Sequence, residues 1–376
     1  MDQVPGVRGV QLPRRGWFAR LVARPGAQAF LSRLPLGATL ARRDGAEIFD
    51  ILQGFVASQV LLALVELDLL EALLASPQPP DALARPRGVA PDRMAALLQA
   101  GAALGLLRCH RDGRYGLARR GAAILGVPGL RDMIRHNAVF YRDMADPVAV
   151  LREQGETGLS RFWPYVLGGT EDVRAPEAAR YSDLMARSQV LVAEDTLRAV
   201  SLRGVTRLMD IGGGSGVFLS AAMTRYRGLR GMLLDLPEVI GQAESRLTRS
   251  GLSNRVELCP GTFRAGALPG GADAISLVRV LYDHDDATVV DLLARVHAAL
   301  PPGGRLIVSE PMAGDARTDR AGDLYFAFYT MAMGTGRARS PARIAELCRD
   351  AGFDRVRICR ARRGYVTRVV TCAKPR

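Results

Sequence analysis

The feature that most constrains the fold of this 376-residue chain is a glycine-rich turn, Asp210-Ile211-Gly212-Gly213-Gly214-Ser215-Gly216. An apolar run at 207–211 precedes it and reads as a strand; an apolar stretch opening a helix follows. Glycines at such a strand-to-helix turn permit left-handed backbone and let the main chain come close to a ligand. A second strand, 231–234, ends in Asp235, where a carboxylate can accept hydrogen bonds from both hydroxyls of a ribose. A dinucleotide fingerprint would need a third glycine at position 217, which is Val217. The D-x-G-x-G-x-G spacing therefore suits a nucleoside without a pyrophosphate. A nicotinamide cofactor, or a turn holding no ligand, is the alternative.

Downstream the texture alternates. Strands are expected at 207–211, 231–234, 256–259, 274–280 and 305–309, with helices between them, including 287–300. That order gives a parallel, doubly wound sheet. A final antiparallel pair, 356–359 and 365–372, turns at Arg363-Gly364. Ordinary dinucleotide folds lack such a closing hairpin, whereas S-adenosylmethionine (SAM)-dependent methyltransferases have it.

The upstream part is helical. Phe49, Leu52, Val56, Val60, Leu64, Leu67 and Leu70 recur by threes and fours across 48–74, and Pro77, Pro79 and Pro80 stop the pattern. A helix starts near Pro91-Asp92 and leads into Leu97, Leu98, Leu104, Leu106 and Leu107. The hairpin signal Arg111-Asp112-Gly113-Arg114 then separates short strands at 106–109 and 115–117, a winged-helix layout. Further helices are expected at 129–141 and 176–200. Three divisions follow: a basic extension over 1–44, a winged-helix-like, mainly helical region over 45–185, and a sheet domain carrying the glycine turn over 186–376.

Charge and composition bound the partners. The net charge is +13, nearly all of it from arginine, since Lys374 is the only lysine. Residues 1–44 hold eight arginines against Asp2 and Asp44. Two segments there pair apolar bulk with arginine, one with Trp17, Phe18, Leu21 and Val22, the other with Phe30, Leu31 and Leu34. Such a segment suits an interfacial membrane anchor or a basic extension packed on the body. A nucleic-acid partner is not expected, because the second winged helix, 91–104, follows Asp92 and Arg93 with a mostly Ala/Leu surface, and a recognition helix needs several polar readers. No unbroken apolar run approaches the roughly 20 residues that span a bilayer, and the N-terminus lacks a signal-peptide layout. A cytoplasmic protein, peripheral at most on an inner membrane, is the expectation. Cys109, Cys259, Cys348, Cys359 and Cys372 are scattered, so buried free thiols are expected, with neither a zinc site nor disulfides.

From residue 45 onward the chain resembles the small-molecule O-methyltransferases that join a winged-helix-like dimerisation domain to a class I SAM-binding, Rossmann-like sheet. Leu208-Met209-Asp210-Ile211-Gly212-Gly213-Gly214, Asp235-Leu236-Pro237-Glu238-Val239, Pro302-Gly303-Gly304-Arg305-Leu306 and Ala351-Gly352-Phe353 carry the likeness. Three further segments narrow it: 99–107, 276–284 and 323–333 resemble the hydroxyneurosporene (demethylspheroidene) O-methyltransferases of purple-bacterial carotenoid synthesis. That resemblance implies a homodimer, SAM as cofactor, and methylation of the C-1 tertiary hydroxyl of an acyclic carotenoid. A soluble phenolic or polyketide acceptor, or a winged-helix regulator that binds SAM, is the alternative.

On this resemblance Asp210, Gly212, Gly213, Gly214, Gly216, Asp235, Leu236, Thr262, Phe263 and Arg279 are the candidate cofactor residues. The family's catalytic histidine falls on Tyr282, followed by Asp283 and His284; its Gly-Asp motif near the adenine falls on Pro260-Gly261-Thr262-Phe263. One of two flanking glutamates matches Glu310; the other falls on Ala338. The candidate catalytic set is therefore His284, Asp283, Tyr282 and Glu310, with His284 favoured as base. Against this, 283–286 could simply cap the next helix through Asp285 or Asp286. His136, Phe140, Trp163, Phe326, Tyr329 and Met333 are candidate substrate-lining residues, although a run such as 325–333 is more often core. His110 and His297 read as structural.

Overall fold

The computed structural model describes residues 17–24, 26–27, 30, 33, 35–162 and 175–376. They form two compact units, Met1–Ala118 and Arg119–Arg376. The helices between Arg119 and Phe162, grouped with the winged-helix-like region over 45–185 in the sequence reading, lie in the second unit. The boundary expected at residue 44 falls inside a continuous helix, Pro35–Glu66.

In the first unit that long helix is followed by Leu69–Ala75, Pro80–Ala84 and Pro91–Ala103 and by a hairpin of β1 (Leu107–Cys109) and β2 (Tyr115–Leu117). Leu64, Leu69, Leu70, Leu83, Met94 and Leu98 are fully or almost fully buried and make its core. The periodicity over 48–74 is two helices rather than one. Asp68, with φ 47°, adopts the left-handed conformation and breaks the ladder between them. Pro91 sits at the first helical position, where its missing N–H costs nothing. Unlike the expectation from unbroken runs, Gly37–Glu66 is long and apolar enough to cross a membrane by length and composition, with a mean hydropathy of 1.9. Polar residues such as Asp50 and Gln53 interrupt the run without lowering that mean enough. Ile48, Phe49, Ile51, Leu52, Phe55 and Val56 on this helix are exposed. The first expected amphipathic segment contains a helix, Trp17–Val22; Leu31 and Leu34 of the second lie outside the described residues.

The second unit is built on seven strands: β3 (Arg207–Ile211), β4 (Arg230–Asp235), β5 (Val256–Pro260), β6 (Ala274–Val278), β7 (Arg305–Glu310), β8 (Asp354–Ile358) and β9 (Arg368–Ala373). Their order is β5-β4-β3-β6-β7-β9-β8, with β9 antiparallel to both neighbours and the other pairings parallel. The central strands bury both faces, as parallel strands covered by helices must. Packed on them are Val217–Arg225, Pro237–Arg249, Asp286–Ala299 and Pro341–Asp350. The chain order reverses between β3 and β6, so their carboxyl ends flank the crevice where doubly wound sheets bind ligands. All five cysteines are free, but only Cys348 and Cys372 are buried; Cys259 and Cys359 are half-buried, and Cys109 is exposed, since the wing strand is too short and peripheral to cover it.

Candidate active site

The glycine turn leaves β3 through three left-handed residues: Gly212 (φ 64°), Gly214 (φ 56°) and Gly216 (φ 73°). The Gly212 amide donates to the Leu234 carbonyl at 2.8 Å and ties the turn to β4. A side chain on Gly212 would press on Val280, and one on Gly213 would press on Asp210 and Leu233. Over Gly214, by contrast, a Cβ would meet nothing within 4 Å, so the space above the turn is open. Asp235 closes the far side. Its carboxylate accepts from the Gly214 and Leu236 amides, each at 2.7 Å. Burial raises its pKa against the pull of those two amides. Asp210 lies beneath, buried, accepting from the Ser276 hydroxyl at 2.6 Å; burial pushes its pKa up to about 7. Thr262 and Phe263 follow β5, where the Gly261 amide donates to the Asp235 carbonyl at 2.9 Å.

At the end of β6 the chain turns abruptly. The strand expected to reach 280 stops at Val278 because Arg279 takes φ 58°, a conformation a non-glycine residue holds only when its surroundings fix it. Its amide donates to the Ser309 carbonyl at 2.8 Å, and its guanidinium donates to the Ser188 hydroxyl and to the Tyr282 hydroxyl. Arg279 thus links the end of β6 to Ser188, Tyr282 and Ser309. Leu281–Asp283 then form one turn of 3-10 helix. Asp285 caps the following helix by accepting from the Thr288 amide at 2.8 Å, one of the two caps foreseen. That leaves Asp283 and His284 outside the cap.

These side chains are held from several directions. The Tyr282 amide donates to Glu310 Oε2 at 3.2 Å. Glu310 is completely buried at the end of β7, and burial pushes its pKa up to about 8. Asp283 is also buried, with its pKa pushed up to about 7 by burial against the nearby Arg279 charge. His284 goes the other way: burial, with Arg264 nearby, lowers its pKa to about 4, so the ring is neutral at pH 7. Arg264 Nη2 lies 3.1 Å from His284 Nδ1, and Phe263 packs edge-on against the ring. A guanidinium only donates, so Nδ1 is the acceptor and Nε2 carries the ring proton.

Several contributors had no sequence signal. Arg339, 3% exposed, donates to the Leu281 and His284 carbonyls and to Asp286, clasping the 3-10 turn from outside. Gly336, with φ 88°, lies so close to the Tyr282 carbonyl and the Asp283 backbone that a Cβ has no room. Neighbouring Thr335 donates to the Asp283 carbonyl at 3.1 Å. Arg264, Ser188 and Ser276 also act only through spatial neighbours.

The substrate-lining candidates converge in part. His136 Nε2 pairs with the Tyr329 hydroxyl at 2.8 Å, and burial lowers the histidine pKa to about 4. Phe140 meets Tyr325 and Tyr329 edge-on, and the Tyr325 hydroxyl donates to Asn137 at 2.7 Å. Phe326 stands edge-on to Tyr282, with ring centroids 6.3 Å apart, so this aromatic cluster adjoins the residues after β6. Phe140, Tyr329 and Met333 are buried with Val150 and Leu159, so the run is also core. Trp163 lies outside the described residues. His297 packs edge-on against Phe353, in keeping with a structural role.

The residues fit the nucleoside of SAM. The open space over Gly214 and the strand-end carboxylate of Asp235 supply the close approach and the diol acceptor that such a ligand requires. Among the described residues no cluster suits a metal ion. A doubly wound sheet closed by an antiparallel strand, with this turn and carboxylate at its carboxyl edge, defines a class I methyltransferase.

The sequence matches the O-methyltransferase domain over residues 141–354 and the O-methyltransferase dimerisation domain over residues 49–126. The demethylspheroidene O-methyltransferase of Cereibacter sphaeroides is 52% identical over 371 residues, covering 99% of this chain and 97% of its own. The enzyme of the same name from Rhodobacter capsulatus is 50% identical over 366 residues, covering 97% of this chain and 91% of its own. A solved mitomycin 7-O-methyltransferase matches with TM-score 0.74 at 28% identity, over 89% of this chain and 99% of that one. The chain belongs to the O-methyltransferase family with its dimerisation domain, and it is a SAM-dependent enzyme.

Proposed function

We propose that this SAM-dependent O-methyltransferase methylates the C-1 tertiary hydroxyl of an acyclic hydroxycarotenoid. The observation that carries the reading is the near-full-length likeness to two demethylspheroidene O-methyltransferases, at 52% and 50% identity. The aromatic cluster of Phe140, Tyr325, Phe326 and Tyr329 supports it, because a long hydrocarbon needs an apolar wall beside the reacting end.

Bound SAM supplies an electrophilic methyl group. In this reading Gly212, Gly213, Gly214 and Gly216 receive the nucleoside, Asp235 takes the ribose hydroxyls, and Leu236, Thr262 and Phe263 flank the base. Tyr282, Asp283, His284 and Glu310 face the acceptor hydroxyl, with Arg279 behind them. Holding the hydroxyl in line excludes water and contributes on the order of 7–11 kcal/mol. A tertiary alcohol is too weak an acid to ionise freely at neutral pH, so its proton leaves as the methyl group arrives.

We also infer that the apolar stripe of the Pro35–Glu66 helix pairs with a second copy in the homodimer, since the dimerisation-domain match begins at residue 49. The basic residues 1–44 then meet an anionic membrane that carries the acceptor. The test offers SAM with vesicle-borne hydroxycarotenoid beside simple catechols. Methylation of the carotenoid, slowed by arginine-to-glutamate changes in residues 1–44, is expected. Methylation of catechols alone overturns the acceptor assignment, and an unchanged vesicle rate overturns the membrane contact.

A further inference from the structure

One carboxylate oxygen in the loop after β6 is buried with nothing to bond. Asp283 is 8% exposed, and its Oδ1 has no hydrogen-bond partner. Every other side of the residue is anchored. Its carboxylate is hydrogen-bonded to the Tyr282 hydroxyl. Tyr282 in turn accepts from Arg279 Nη2 at 3.1 Å, and Arg279 Nη1 donates to Ser188 at 2.9 Å. The Asp283 carbonyl is held by Thr335, and Gly336 packs directly against its backbone. A buried acceptor left unpaired is costly, and a site at the carboxyl edge of a doubly wound sheet is where a ligand's donor satisfies it.

The neighbouring imidazole is differently placed. Because Arg264 donates to Nδ1, the neutral His284 ring carries its proton on Nε2 and can give a hydrogen bond there but not take a proton. Tyr282, where the family has its histidine, is kept protonated: burial drives its pKa far above the ordinary phenol range.

We propose that Asp283, through Oδ1, takes the proton of the acceptor hydroxyl as methyl transfer occurs, and that Tyr282 and Arg279 are positioning residues that hold its carboxylate. The inference rests on the hydroxyl acceptor argued above. The hydroxyl oxygen forms its bond to the methyl carbon while the carbon–sulfur bond breaks. The electron pair of that bond stays on sulfur, the proton passes to Oδ1, and Asp283 returns it to water after the product leaves. The charged and titratable groups around the carboxylate are Arg279 and Tyr282 on its own loop, His284 beside it and Glu310 on β7; Arg339 acts on Glu310 from beyond. Burial places Asp283 at about 7, so the base form grows in as pH rises through neutrality.

The experiment measures single-turnover rates from pH 5.5 to 9 on whichever hydroxylated acceptor the wild type methylates, with SAM affinity and melting temperature recorded for each variant. A wild type that ignores hydroxycarotenoids but turns over a phenol defeats the acceptor assignment and leaves this test intact. Asp283→Asn is expected to lose at least roughly a hundredfold in rate, the scale of general-base catalysis, with SAM affinity within threefold of wild type. Tyr282→Phe removes a hydrogen bond that favours the carboxylate, so the acidic limb of its profile moves to higher pH. His284→Gln slows turnover and retains the limb. An Asp283→Asn enzyme keeping more than a tenth of the wild-type rate overturns the proposal. If that variant does not fold, the Tyr282→Phe profile decides: an unmoved limb, or a limb that vanishes in His284→Gln, overturns it as well.

Discussion

Asp235 and Glu310 are both buried carboxylates at strand ends, yet their surroundings give them different tasks. Asp235 has two backbone amides pointing at it, which favour charge and keep it available to accept hydroxyls. Replacing it with alanine removes the diol acceptor and frees the Gly214 amide. Calorimetry should show SAM bound at least roughly tenfold more weakly, as expected for one or more hydrogen bonds to a charged group; undiminished affinity would remove Asp235 from the site. Glu310 also accepts from backbone, at Tyr282 and Leu281, but it is completely buried, and burial outweighs those bonds and the nearby Arg339 charge, so it holds a proton to about pH 8. Its pKa is raised above the unfolded value, so its contribution to stability is full below about 4.5 and is lost as pH rises through about 8. Asp210 and Asp283, each near 7, add the same sign. His136 and His284, each lowered to about 4, add the opposite sign, but only below their unfolded value of 6.5. Between pH 6.5 and 8.5 the melting temperature should therefore fall, and Glu310→Gln should flatten the fall. A slope unchanged in that variant would mean that Glu310 ionises freely.

At the scale of elements, what could be read in advance was whatever periodicity and turn chemistry encode. The glycine turn, the wing hairpin and strands β3 to β7 fall where apolar runs and glycines put them, within a residue or two. The failures are tertiary. The sequence at Arg279 does not announce a left-handed residue, because the Ser309 carbonyl and the Ser188 hydroxyl that hold it come from elsewhere. The break at Asp68 interrupts a pattern whose apolar spacing runs on unchanged. Arg339 and Gly336 reach the site from a loop more than fifty residues beyond β6, which no local motif can report. The stripe on Pro35–Glu66 is the clearest case of an element whose meaning lies outside one chain. Ile51 is 77% exposed and Phe55 71%, a costly surface for a free monomer. Ile51→Glu with Phe55→Glu should turn the dimer into a monomer at micromolar concentration by light scattering. A dimer that survives both changes would place the interface elsewhere.

Across the whole molecule, the donor half of the site was more legible than the acceptor half. One strand, one turn and one acid, contiguous from 207 to 235, make up the proposed nucleoside site, and the ordered sheet brings them together almost automatically. The acceptor half draws on β6, β7, the helix at Leu130–Asp143 and the run at 320–339, and its chemistry depends on burial and hydrogen-bond partners that only the fold creates. Tyr282 in the family's histidine position made the phenol-type catalytic arrangement inapplicable without naming a replacement. The carotenoid assignment therefore stands on near-full-length likeness and the aromatic wall together.

The most direct test supplies methyl-labelled SAM with an acyclic carotenoid bearing a C-1 tertiary hydroxyl and locates the label in the product by mass spectrometry and NMR. The account predicts one labelled methyl ether at C-1. Label that appears only on phenolic oxygens of added competitors, with the carotenoid recovered unchanged, would contradict it.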